Sequence, residues 1–222
     1  MNKNIERAKE LVPAIILTIL SMIQALAIEL FWSKIESSEL LWVGSWESAI
    51  VWLQLAVVLL GILLIWVFYV SFVLRFSWLP TLGDTLVPFL IGLLEFAIID
   101  LMYPSPIGPW FLLLAATYGI STATTHMTMR RARQDPTNAY FFSQVGPANW
   151  RDYLVSATAV VILATIGVVL WIIDDNQGLS VAALIVAVIA LLYQYRQSRL
   201  YWMHSLVGAG SDDANEDEAE PR

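Results

Sequence analysis

Long apolar blocks separated by short polar segments make up most of the chain. Most are close to the roughly 20 residues that a helix needs to cross a 30 Å hydrocarbon core. The blocks predict six helices: Leu11–Ser33, Trp46–Leu74, Asp84–Tyr103, Pro109–Met129, Tyr153–Ile173 and Leu179–Arg196. The second block is the longest, so its helix should tilt or project past the membrane. The pattern therefore predicts an all-α, polytopic membrane protein, with a six-helix transmembrane bundle over residues 1–207.

Composition supports this fold class. The 222 residues are 58% hydrophobic and 14% charged, whereas soluble domains are about 45–50% apolar. The chain has no cysteine and two histidines, so disulfides, thiol catalysis and histidine-rich metal sites are not expected. We therefore expect neither a metal nor another cofactor.

The basic residues predict the orientation of the bundle. Under a six-helix topology Lys34 lies alone on one side, and the other eleven lie opposite: Lys3, Arg7, Lys9, Arg75, Arg130, Arg131, Arg133, Arg151, Arg196, Arg199 and Arg222. Because basic residues flanking membrane helices are retained in the cytoplasm, both termini are expected there. The predicted location is the plasma membrane, or the inner membrane if the source is bacterial.

The first helix also has features of a secretory signal peptide, with a basic start, an apolar run and the small-residue triplet Ala25–Ala27. Glu6 and Glu10 in the amino-terminal segment argue against cleavage, as does the apolar run that resumes after the triplet. We therefore expect the helix to be retained.

The net charge of −7 is concentrated at the carboxyl terminus, because the last eleven residues contain six acidic side chains against Arg222. This composition predicts a disordered acidic tail over residues 208–222. Nothing in the charge pattern suggests a nucleic-acid partner.

Glu95 lies near the middle of the third apolar block. A charged side chain at the centre of a membrane helix costs roughly 2.5–3.5 kcal/mol, so such residues usually face the protein interior and often mark a working site. Pro88, Gly92 and Glu95 follow intervals of four and three and share one stripe of the helix. The structural alternative is a neutral glutamic acid that is hydrogen-bonded to a neighbouring helix.

The first and third helices carry a similar pair of polar residues. Gln24 and Glu29 are five residues apart, as are Glu95 and Asp100, and both helices contain Leu-Val-Pro near their start. Five residues turn a helix by about 500°, so the two members of each pair point in different directions. Glu29 and Asp100 are expected at the outer interface, and Gln54 of the second helix could bond either acid across the bundle.

The fourth helix carries a stripe of hydroxyl side chains: Thr117, Ser121, Thr124 and Thr128. Their spacing places them on one helical face, with His126 nearby. Hydroxyls in such a position either bond the preceding turn of their own helix and aid packing, or line a hydrated path. His126 could act as a proton relay on such a path, or simply lie at the interface.

The longest connection, Arg130 to Asp152, interleaves basic and aromatic residues. The residues that we expect to contact anionic lipid or a cytosolic partner are Arg130, Arg131, Arg133, Tyr140, Phe141 and Phe142. No phosphate-binding glycine loop, zinc motif or nucleophile elbow occurs in the chain.

These features support three hypotheses. The first is a small ion or proton channel or transporter, with Glu95 as the embedded titratable group and Gln24, Gln54 and the hydroxyl stripe along the route. A chain of this size would have to form a homo-oligomer or pair its halves to enclose a pore. The second is a non-transporting subunit or scaffold with a cytosolic or membrane protein partner. The third, a lipid-modifying enzyme, is the least favoured because its candidate groups are scattered along the membrane normal.

Overall fold

The computed structural model describes residues 3–144, 150–173 and 176–216. Within these ranges the chain is helical and contains no strand. The helices are α1 (Lys3–Ser37), α2 (Trp46–Arg75), α3 (Leu82–Asp100), α4 (Ile107–Ala132), α5 (Ala139–Gln144), α6 (Trp150–Ile172) and α7 (Gln177–Glu216). Short 3-10 turns cover Glu39–Trp42 and Pro136–Asn138. The prediction of an all-α protein is confirmed.

Five helices are long and apolar enough to cross a membrane: α1, α2, α3, α6 and α7. The fourth predicted span, α4, is long enough but is not among them. Its hydroxyl side chains and His126 dilute the apolar content that a membrane span needs. The described structure therefore supports an integral membrane protein with five apolar spans and a sixth long helix of mixed character.

The helix boundaries differ most from prediction at the two ends of the chain. Helix α1 begins eight residues before the predicted Leu11, because the preceding Lys, Arg, Ala and Glu residues are good helix formers in water. Helix α7 continues past the predicted end at Arg196 to Glu216. The predicted disordered tail, 208–222, therefore starts inside α7, and residues 217–222 lie outside the described ranges.

Two capped starts set the boundaries of α2 and α3. The Ser45 hydroxyl accepts a hydrogen bond from the Ser48 amide at the start of α2. At the start of α3, Asp84 accepts bonds from the amide and hydroxyl of Thr81. Each cap satisfies amide groups that the first helical turn leaves without partners.

The long helices pack as neighbours in the spatial order α6, α4, α3, α1, α2, α7. The main apolar core includes Val57 of α2, Ile99 of α3, Phe111 of α4 and Leu184 of α7, all nearly inaccessible. Many other large apolar side chains are exposed, including Trp32, Leu63, Leu93, Val161 and Ile189. In a membrane protein, such residues face lipid.

Glycines allow α4 and α6 to approach at backbone distance. A Cβ on Gly108 would lie 2.7 Å from the backbone nitrogen of Trp171 and 2.8 Å from the carbonyl oxygen of Gly167. A Cβ on Gly167 would lie 2.9 Å from Leu112 Cγ. Small residues at helix crossings have this role in membranes, where close packing replaces the hydrophobic effect as the force between helices.

Candidate functional site

The structure brings the side chains of Gln24 and Glu95 together between α1 and α3. The Gln24 Nε2 group donates to both Glu95 oxygens, over 2.9 Å to Oε1 and 2.8 Å to Oε2. Both residues are 4% exposed. The amide oxygen of Gln24 is also buried and has no hydrogen-bond partner in the part of the chain that the structure describes. The two deeper members of the similar polar pairs in α1 and α3 thus contact each other.

The glycine one turn before Glu95 lets the two helices come close enough for this contact. A Cβ on Gly92 would clash with Ile23 Cγ2, and Ile23 directly precedes Gln24 in α1. Pro88 and Gly92 are buried with Glu95. The stripe predicted from the sequence is therefore a buried face of α3, and at Gly92 it lies against α1.

Gln54 has a different partner from the one suggested by the sequence. Its Oε1 accepts a hydrogen bond of 2.9 Å from the backbone amide of Tyr103, and its Nε2 is buried without a partner among the described residues. Gln54 lies only two turns into α2, level with the turn between α3 and α4. It therefore holds that turn and does not bond Glu95 or another acid.

The outer carboxylates are exposed. The side chain of Asp100 is 82% exposed, and its Oδ1 lies 3.6 Å from the Lys34 ammonium nitrogen. Lys34 also donates to the Asp100 backbone oxygen over 3.2 Å. Glu29 is exposed on α1. Both acids thus lie on the surface of the bundle, apart from the buried Gln24–Glu95 pair.

Three of the four hydroxyls in the α4 stripe bond their own helix. The hydroxyls of Thr117, Thr124 and Thr128 each donate to the carbonyl four residues earlier, over 2.9, 2.6 and 3.0 Å. The Ser121 hydroxyl is buried, and none of the described residues bonds to it. A hydroxyl bonded in this way has a hydrogen-bond partner within its own helix and can lie in an apolar environment. These bonds agree with the packing interpretation of the stripe.

The α4 stripe and His126 lie on different sides of that helix. The His126 ring contacts the Tyr153 ring of α6, with ring centroids 4.2 Å apart. Two positions along a helix correspond to a rotation of about 200°, so His126 points away from Thr124 and Thr128. The structure does not bring His126, the stripe and Glu95 into one continuous polar path.

Helix α4 is joined to α3 by hydrogen bonds at both ends. The Trp110 indole donates to the Ile98 carbonyl over 3.0 Å. At the other end, Arg131 forms an ion pair with Asp84 and donates to the Thr81 hydroxyl. In the antiparallel arrangement that results, Glu95 lies about one turn from Ile98 and is therefore nearer to the Trp110 end of α4.

The basic and aromatic connection after α4 folds back on the end of α2. Phe141 and Phe142 pack on Phe76, with ring centroids 5.1 and 5.7 Å apart. The Arg133 guanidinium lies 4.6 Å from the centroid of the Phe142 ring. Of the residues expected to meet lipid or a partner, Arg130 and Tyr140 remain exposed; residues 145–149 lie outside the described ranges.

Sequence reasoning missed a polar network that holds this connection in place. The Asn138 amide nitrogen donates to the carbonyls of Ser77 and Ala132, and its oxygen accepts from the Ser77 amide. The Lys9 ammonium forms an ion pair with the Asp135 carboxylate at 2.5 Å. Asp-Pro at positions 135 and 136 is a turn signal that marks this place in the sequence, but no local pattern identifies Lys9 as the partner.

The pKa of Asp135 is set by opposing effects. Burial raises the pKa, but the hydrogen bonds from Lys9 and Thr137 and the charge of Lys9 outweigh burial and leave the pKa below its usual range. A lowered pKa means that Asp135 stabilises the fold above about pH 4, the pKa of an unfolded aspartate, and that this contribution disappears as the pH falls through the native pKa.

We expect Asp135→Asn to lower stability at pH 6 by about 1 kcal/mol, the upper end for a partly exposed ion pair. It should also reduce the loss of stability between pH 6 and pH 3, because the carboxylate that titrates in that window is gone. Thermal unfolding of the purified protein in detergent at both pH values measures the two effects. Equal pH dependence in wild type and variant would contradict this assignment.

Comparisons with protein families, curated proteins and solved structures find no match for this chain.

Proposed function

We propose that the chain crosses the membrane six times, with α4 as the sixth span and both termini in the cytoplasm. At about 1.5 Å per residue, the 26 residues of α4 can span a bilayer. Its contacts with α3 at both ends and its glycine contact with α6 support a position inside the bundle. The excess of basic residues on one side supports the orientation.

In this topology the protein acts as a non-transporting membrane subunit or scaffold. One observation carries this conclusion: both oxygens of the embedded acid Glu95 are engaged by Gln24 across the α1–α3 interface. The other candidate polar groups also have local roles, since Gln54 bonds the turn at Tyr103 and the α4 threonines bond their own helix. Polar groups arranged in this way specify helix packing.

The partner-binding surface of such a scaffold includes Arg130 and Tyr140 on the basic side of the bundle. Both side chains are exposed, whereas the neighbouring Arg131 and Phe142 are engaged within the fold. An exposed arginine and tyrosine are residues that protein interfaces favour.

Proton or ion transport is the second candidate. It is favoured by the Gln24 amide oxygen, which accepts no hydrogen bond from the described residues. A proton on Glu95 would let the carboxyl donate to that oxygen while the Gln24 amide nitrogen donates back to the acid. Both polar side chains would then be satisfied. A membrane-embedded carboxyl that is stable in its neutral form is the kind of group that proton pathways use.

Flux measurements in liposomes separate the two candidates. We expect the reconstituted protein to pass protons, K⁺ and Na⁺ no faster than empty liposomes, with or without an applied potential. The measurement covers about pH 5 to 8, the range in which histidine changes its charge. Glu95→Gln should then change thermal stability only.

A flux that Glu95→Gln abolishes, in a variant that keeps the wild-type elution volume and helical content, would overturn the scaffold proposal and establish transport. Asp100→Asn is the matched control, because it neutralises an exposed acid on the same helix. If both variants reduce a flux equally, the effect comes from surface charge and Glu95 is not the transport site.

A further inference from the structure

The connection between α1 and α2 exposes large apolar side chains, although it belongs to neither helix. Its 3-10 turn, Glu39–Trp42, is followed by Val43, and α2 begins at Trp46. Trp42 is 74% exposed and Val43 is 66% exposed. A connection that meets only water is usually polar, and exposed apolar patches commonly mark a surface that contacts a partner or a membrane.

The turn folds back along the side of α2 and does not extend beyond the end of that helix. The Trp52 indole of α2 donates to the Leu41 carbonyl over 3.1 Å, and the Trp42 and Trp52 rings pack with their centroids 6.0 Å apart. Trp52 lies six residues, or about 9 Å, inside α2. The hydroxyl of Ser48, also in α2, donates to the Leu40 carbonyl. The turn therefore lies beside the first two turns of an apolar span.

These two bonds give carbonyls of the turn partners from the side chains of α2. A carbonyl in water needs no such partner, whereas one at the edge of the hydrocarbon region does, because lipid tails contain no hydrogen-bond donor. The Leu41 side chain is 3% exposed and belongs to the main apolar core. Leu41 thus holds the turn against the bundle, and Trp42 and Val43 remain on its outer side.

The exposed residues suit the boundary between lipid headgroups and acyl chains. An indole ring is apolar but carries one N–H donor, so tryptophan is enriched at this boundary. The Trp42 indole N–H donates to none of the described residues. Trp52 and Leu59, seven positions apart on one face of α2, are exposed too. The apolar surface of the turn is therefore continuous with the lipid-facing side of α2.

We propose that the α1–α2 turn is a membrane anchor, which inserts Trp42 and Val43 into the lipid leaflet at the end of the bundle opposite Arg75. The Trp42 indole donates to headgroup or ester oxygens of the lipid. Glu39 is exposed at the start of the turn and stays in water, so the contact does not require anionic lipid.

The anchor fixes the depth of α2 in the bilayer. The 30 residues of α2 are about 45 Å long, which exceeds a hydrocarbon core of about 30 Å. With the start of the helix held at one boundary, the excess length is taken up by tilt or projects at the Arg75 end. This proposal does not depend on Glu95 or on whether the protein transports an ion.

Spin labels at single introduced cysteines test the depth of the turn, because the chain has no cysteine of its own. Full-length Val43→Cys and Glu39→Cys proteins are labelled and reconstituted into phosphatidylcholine vesicles. Collision rates are then measured with oxygen, which concentrates in the bilayer, and with a water-soluble nickel chelate. We expect the Val43 label to collide more with oxygen and less with nickel than the Glu39 label. Glu39→Cys is the matched control, because Glu39 is an exposed position of the same connection.

Trp42→Ser in the Val43→Cys background tests the anchoring residue itself. Loss of the indole should raise the nickel collision rate at Val43, and Trp42→Phe, which keeps an aromatic ring, should raise it less. If Val43→Cys does not fold, Trp42→Cys reports on the same surface. Equal nickel collision rates at Val43 and Glu39 would overturn the proposal by placing the whole turn in water. A Val43 label that neither reagent reaches would also overturn it, because a protein partner or a second copy would then cover the surface.

Discussion

Gly108→Ala should destabilise the protein by about 1–3 kcal/mol, the usual cost of overpacking a close contact. The added methyl group would meet the backbone of Trp171 and Gly167 at 2.7–2.8 Å. Backbone atoms of α6 cannot rotate away as a flexible side chain can. The two helices must therefore separate at the end of the bundle where α4 begins, and contacts along their crossing are lost.

Gly119→Ala is the matched control on the same face of α4. Its added methyl group would lie 3.6 and 3.8 Å from the two γ-carbons of Val160, which are ordinary contact distances. We expect it to be neutral or slightly stabilising, since alanine is the better helix former by up to about 1 kcal/mol. Thermal unfolding in detergent, followed by tryptophan fluorescence, measures both variants. Equal stability of the two would show that α4 and α6 do not touch at Gly108.

The helices were predictable because each membrane span is encoded by its own continuous run of apolar residues. An apolar block of sufficient length forms its backbone hydrogen bonds within one helix. Accordingly, α2 (Trp46–Arg75) ends within one residue of its predicted end. The ends of α1 and α7 were less predictable. A helix that leaves the membrane can continue in water when its residues have high helix propensity. Hydropathy alone does not predict how far such a helix extends.

The burial of Glu95 against a neighbouring helix was also predictable, but its partner was not. A central acid in an apolar block is visible in one helix, whereas contact with Gln24 depends on the relative height and rotation of two helices. The similar polar pairs in α1 and α3 were the only local indication. These pairs contain both residues of the contact, but the sequence did not show that the two residues contact each other.

The folded connection after α4 was the least predictable part. Its basic and aromatic residues suggested an external interface, yet Phe141 and Phe142 pack on Phe76 of the α2 terminus. Asn138 fixes this arrangement through the backbone of Ser77 and Ala132. These are contacts between segments distant in sequence, and aromatic composition alone does not distinguish an internal cluster from an external surface.

The Gln24–Glu95 pair should show strong coupling in a double-mutant cycle. Gln24→Leu removes the donor that engages the Glu95 carboxyl and leaves that group buried without a partner. Glu95→Leu likewise leaves the Gln24 amide buried without a partner. Each single change should lower stability by about 1–3 kcal/mol, the cost of an unsatisfied buried polar group.

The double variant, Gln24→Leu with Glu95→Leu, should recover most of that loss. Replacing both partners by apolar groups of similar size leaves nothing unsatisfied, and such exchanges are nearly neutral or stabilising. We therefore expect a coupling energy of about 2–5 kcal/mol between the two positions, close to the sum of the two single losses, from unfolding of all four proteins in the same detergent. Gln54→Leu supplies the control cycle: Gln54 is buried too, but it bonds the Tyr103 amide, so its effect should add to that of Glu95→Leu within about 0.5 kcal/mol. Additive effects at Gln24 and Glu95 would mean that the two side chains do not stabilise the α1–α3 contact together, and the main support for the scaffold proposal would be lost.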